Sequence, residues 1–84
     1  MAKTLEQKPD DIYWQRLRYR GRNGVRIELE YELVRPPRLN ARWWWRFEGS
    51  GDWYGPTKTK IWALIHAGWA CGTSAEKMDW QHTP

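Results

Sequence analysis

The residues in this chain best suited to chemistry are indoles and guanidiniums. Arg42-Trp43-Trp44-Trp45-Arg46 sets three tryptophans between two arginines, and the chain holds eight tryptophans in 84 residues. Trp, Tyr and Arg concentrate at binding hot spots, and indoles beside arginines also form stacking platforms for nucleobases. Catalytic constellations are thin by comparison. Cys71 follows His66 by five residues, but no Asn or Asp stands close in sequence to orient the imidazole,. His66 and His82 with one cysteine do not make a zinc site. The carboxylates at Glu28, Glu30 and Glu32 fall at strand spacing and read as a solvated or salt-bridged face. The expectation is a protein that is not an enzyme and needs no cofactor or metal.

Gly55-Pro56-Thr57-Lys58-Thr59-Lys60 precedes a helical pattern. Lys58 and Lys60 at a helix start oppose the macrodipole, and a bound anion would relieve the conflict. The spacing is not that of a P-loop. These two lysines are the candidate anion-binding residues.

The elements that position these groups follow from periodicity. Ile12 to Arg20 and Val25 to Val34 alternate at period two, which marks strands. Tyr13, Leu17 and Tyr19 share a face with Val25, Ile27, Leu29, Tyr31 and Leu33. Arg16, Arg18 and Arg20 share the other with Arg26, Glu28, Glu30 and Glu32. A three-residue loop, Arg22-Asn23-Gly24, pairs Gly21 with Val25. It sets Tyr19 opposite Ile27, Leu17 opposite Leu29, Arg18 opposite Glu28 and Arg16 opposite Glu30. Apolar matching and charge matching select the same register, with Gly24 in the left-handed position of a bulge.

Residues 35–40 contain two prolines and read as a connector. Ala41 to Glu48 reads as a third strand. Side chains alternate across a strand, so Trp44 must point away from Trp43 and Trp45. Residues 53–56 read as a loop or short extended piece. Thr57 is the expected cap of a helix from about Lys58 to Ala67. Its stripes Ile61/Leu64/Ile65/Gly68 and Trp62/His66/Trp69 are both expected to lie on the sheet. Residues 73–84 read as a short strand around Lys77–Trp80 or a frayed tail.

The expected fold is therefore α+β: a three-stranded antiparallel β-meander, with a short fourth strand as an option, packed on one C-terminal helix. Residues 1–10 are expected as a flexible arm and residues 11–84 as one small domain. The expected core is Tyr13, Leu17, Tyr19, Ile27, Leu29, Tyr31, Leu33, Trp43, Trp45, Phe47, Ile61, Leu64 and Ile65.

Eight indoles exceed what so small an interior readily encloses, because tryptophan is seldom wholly buried. Trp14 and Trp44 are expected on the outer sheet face, flanked by Arg42 and Arg46. Arg20, Arg22 and Arg26 crowd the hairpin tip around Gly21 and Asn23-Gly24, which carries three positive charges and no acid. The net charge of +4 favours an acidic partner. The expected function is a non-catalytic binding module that docks through this Arg/Trp surface onto an acidic protein surface, as adaptor or occluding inhibitor. The alternative is single-stranded nucleic acid on the same face. A purely structural arrangement competes with both, in which the glutamate row neutralises arginine rows on either side. A mean hydropathy of −0.93 and no apolar run of about 20 residues argue against a membrane. A cytoplasmic location and a monomer or homodimer complete the expectations.

Overall fold

A computed structural model of the chain describes residues 14–32 and 42–84. The expected arm at 1–10, the connector at 35–40, and Tyr13 and Leu33 of the expected core lie outside the described residues. Five strands and two helices follow in order: β1 Trp14–Arg20, β2 Arg26–Glu32, β3 Trp43–Phe47, β4 Tyr54–Thr57, α1 Lys60–Ala70, α2 Ala75–Met78 and β5 Gln81–Thr83. The strands form one antiparallel sheet in the order β4-β3-β2-β1-β5. The class is α+β, and the sheet has five strands where three or four were expected.

The hairpin forms in the expected register. Tyr19 pairs with Ile27, Leu17 with Leu29, Arg18 with Glu28 and Arg16 with Glu30. Gly21 N donates to Val25 O at 2.8 Å, and Gly24 adopts φ +89°, a region that side chains resist,. β3 extends the same logic: Ile27 meets Phe47, Leu29 meets Trp45, and Glu28 meets Arg46.

The two elements read as irregular are ordered by pairing that is distant in sequence. Residues 54–57 form β4 on β3, with Tyr54 stacked on Trp45 at 4.7 Å. Thr57 thus ends a strand instead of capping the helix. Its hydroxyl donates to Thr59 O at 2.9 Å, and the Thr59 hydroxyl caps α1 by accepting from Trp62 N at 3.1 Å. Beyond α1 the expected strand around Lys77–Trp80 is replaced by α2, capped by Ser74, and by β5 three residues later. β5 pairs with β1, Thr83 opposite Arg18 and Gln81 opposite Arg20.

The core centres on Tyr19, Ile27, Leu29 and Trp45 from the sheet and on Ala63 and Ala67 from α1. Leu17, Val25, Trp43, Phe47, Leu64 and Trp80 pack around them, and Trp80 Nε1 donates to Leu64 O at 3.0 Å. The sheet supplies bulky aromatics, so the helix fits closest where its own residues are smallest. That choice rotates Ile61 into solvent (65% exposed), against its expected place in the core.

The same economy of volume operates between α1 and α2. A Cβ on Gly68 would lie 2.6 Å from Ala75 N and 2.7 Å from the Ser74 carbonyl carbon. Gly68→Ala should gain about 1 kcal/mol of helix propensity. The atoms it meets are backbone, so the overpacking cost, about 1–3 kcal/mol or more, should win. A net loss of stability in urea unfolding is the expected result. A gain would show that the two helices can separate freely.

Candidate docking surface

The outer face of the sheet is an ion-pair lattice. Glu28 lies between Arg18 on β1 and Arg46 on β3. Its Oε1 accepts from Arg46 Nε at 2.8 Å, and its Oε2 lies 3.3 Å from both Arg16 Nη1 and Arg18 Nε. Glu30 accepts from Arg16 Nε at 2.9 Å. Arg46 also donates to Ser50 O at 3.0 Å and lies 4.5 Å over the Trp53 ring. Burial alone would raise the Glu28 pKa. The hydrogen bond from Arg46 and the field of Arg16, joined by Arg18, instead hold it below its ordinary value,. Around Glu28 and Glu30 the competing arrangement forms, with Arg16 and Arg18 on β1 and Arg46 on β3 as their partners.

Trp44 does point away from Trp43 and Trp45, with Glu30 as its cross-strand neighbour. It is 1% exposed, however, and is no solvent-facing anchor. Arg46 is likewise engaged within the lattice. Trp14 is half-buried and Arg42 is exposed. The expected platform of bare indoles beside bare arginines on this face is therefore not present.

The hairpin tip divides. α2 and β5 fold back beside it: Arg22 N donates to Met78 O at 2.7 Å, and the Arg22 guanidinium lies 3.8 Å from the Asp79 carboxylate. The tip thus has an acid that local sequence did not reveal. Arg20 and Arg26 remain directly opposed across β1 and β2.

Bare indoles occur on α1 instead. Trp62 is 48% and Trp69 58% exposed, whereas the sequence pattern placed both on the sheet. They flank His66, whose ring stacks on Trp69 at 5.3 Å and meets Trp62 edge-on at 5.9 Å. Ile61 adds to the same exposed helix surface. Trp62 and His66 also wall a groove of about 360 Å³ whose other side is Pro56, Thr57 and Lys58 of the β4 end. Across residues 53–75 the only Lys, Arg, Asp or Glu are Lys58 and Lys60, both exposed. The structure begins α1 at Lys60, so Lys58 precedes the helix.

Cys71, at the end of α1, is half-buried, and burial pushes its thiol pKa upward. That direction disfavours the thiolate a nucleophile needs. Among the described residues no three His, Cys, Asp or Glu side chains gather to hold a metal ion. No helix among them is long and apolar enough to cross a membrane. No protein-family model matches the chain, and no curated protein or solved structure matches it either.

The signal for the α1 surface was in the sequence, in Ala63 and Ala67. Two small residues four apart mark the line of closest approach to an aromatic sheet. Trp62 and Trp69 lie on the opposite side of that line.

Proposed function

We propose that the protein is a non-catalytic docking module that binds an acidic, amphipathic segment of a partner protein along α1, acting as adaptor or occluding inhibitor. The observation that carries this reading is the exposure of Trp62, Trp69 and Ile61 on α1, in a stretch (residues 53–75) whose only charged residues are Lys58 and Lys60. Trp62 and Trp69 are the apolar anchors. Lys58 and Lys60 steer an acidic partner and fix its orientation. The Pro56/Lys58/Trp62 groove takes an apolar side chain with a carboxylate beside it.

Single-stranded nucleic acid is the second reading, favoured by the stacked His66 and Trp69 rings. Two lysines make a short basic track for a phosphate backbone, which calls for a basic patch or stripe. Ile61 has no part in base stacking, so the apolar balance favours a protein.

Affinity capture with wild type and with the Trp62→Ala/Trp69→Ala variant, each with and without nuclease, tests the reading. Both positions are half exposed or nearly so, so the variant should keep its unfolding midpoint. Each substitution should cost about 2 kcal/mol of partner affinity. Capture that resists nuclease and is lost in the variant is expected. Capture abolished by nuclease transfers the surface to nucleic acid, and capture indifferent to both alanines removes α1 from the interface.

A further inference from the structure

Independently of α1, the geometry points to an oxyanion site at the loop end of the β1–β2 ladder. We propose that Arg20 and Arg26 together bind a tetrahedral dianion, a phosphate or phosphomonoester group. The two residues are direct cross-strand partners, the last pair of the hairpin ladder. Like charges placed opposite each other in a sheet repel. Neither arginine forms an ion pair among the described residues. Their neighbours differ: Arg16, Arg18 and Arg46 all reach Glu28, and Arg22 reaches Asp79.

The pair opens onto a hollow of about 300 Å³, lined also by Arg18, Glu28, Glu48, Thr83 and Pro84. Glu28 is already committed to three guanidiniums. Glu48 lies across from Arg26, its N–H donating to Arg26 O at 3.0 Å, but its carboxylate pairs with no cation among the described residues. A monovalent carboxylate would compensate one arginine only. A phosphate dianion engages both guanidiniums at once, its oxygens accepting the forked donors they present, against the repulsion of the Glu48 carboxylate. Thr83, a hydroxyl-bearing residue, lines the same hollow.

The site predicts two substitutions of opposite sign. Arg26→Gln removes half the positive pair, whereas Glu48→Gln removes the carboxylate that repels the ligand. Both side chains are exposed, and the amide spectrum of each variant reports whether its fold is retained. Titration with inorganic phosphate, followed by amide shifts against chloride at matched ionic strength, is the first arm. O-phosphoserine is the second and separates free phosphate from a phosphorylated residue.

The expected result is saturable shifts centred on residues 18–26 and 81–83. Arg26→Gln should weaken binding at least about fivefold and Glu48→Gln should tighten it about twofold or more, as expected for single charge contacts at a partly solvated site. Shifts no larger than those from chloride would overturn the site, as would Glu48→Gln weakening binding or leaving it unaltered. Phosphoserine binding with inorganic phosphate silent assigns the site to a phosphorylated chain. The reverse assigns it to the free ion, and in either case the arginine pair stands.

Discussion

Trp44→Ala should destabilise the fold by about 3–5 kcal/mol, the range for removing a large buried aromatic. The ring is one of the three largest side chains that are fully buried. The β4 backbone lies against it: a Cβ on Gly55, at φ +135°, would come within 3.4 Å of Trp44 Cε3. Trp44→Phe should cost much less. It keeps most of the ring and deletes Nε1–H, a buried donor with no acceptor among the described residues,. Chemical unfolding of the two variants separates a packing role from a docking role. If Trp44→Ala leaves the midpoint unaltered while abolishing partner capture, Trp44 is an anchor after all.

Glu28→Ala should be the second large loss, about 2–4 kcal/mol. Breaking a buried ion pair strands its partners, although here the arginines keep enough exposure to water to soften the cost. Glu28 is 5% exposed in its side chain, against 22% for Arg46, 40% for Arg16 and 51% for Arg18. Arg46 therefore loses most, together with the Ser50 loop it holds. The same residue sets an acid limit. Its folded pKa lies below the ordinary 4.5, so its contribution to stability is complete above that value. It is lost as the pH falls through the depressed folded value, where the carboxyl takes up a proton. Thermal melts from neutral pH down to about pH 2.5 should show Glu28→Gln less stable near neutrality and flatter in acid than wild type. Parallel curves for the two proteins would mean that Glu28 is not the titrating link.

These two residues also show what could be read from the sequence and what could not. The strand pattern placed Glu28 and Trp44 on the outer face and supplied the register that brings arginines to the glutamate. Both follow from period two and charge matching between neighbouring strands. Whether Trp44 is covered on that face is a tertiary fact, and local alternation carries no record of it. The same blindness applied to α1. Hydrophobicity ranks tryptophan and isoleucine above alanine, so the broad apolar face was turned inward. Shape decided otherwise, because Ala63 and Ala67 let the helix backbone settle on Trp45 and Leu29, and Trp62 and Trp69 were left outside. β4 and β5 escaped for a related reason. A four-residue and a three-residue strand carry too little pattern to be seen without their partners.

The pairing of β5 with β1 has a consequence for assembly. The β1–β2 ladder closes over a tight three-residue loop, whereas the β1–β5 ladder must bring Thr83 back to Arg18. Closing the longer span costs more chain entropy and is the slower event. Until it occurs, the outer rim of β1 is bare and offers its unpaired amides to any passing strand. The arginines at 16, 18 and 20 make that rim repel its own kind, as charged edges do. They guard a nascent chain before they serve the finished one.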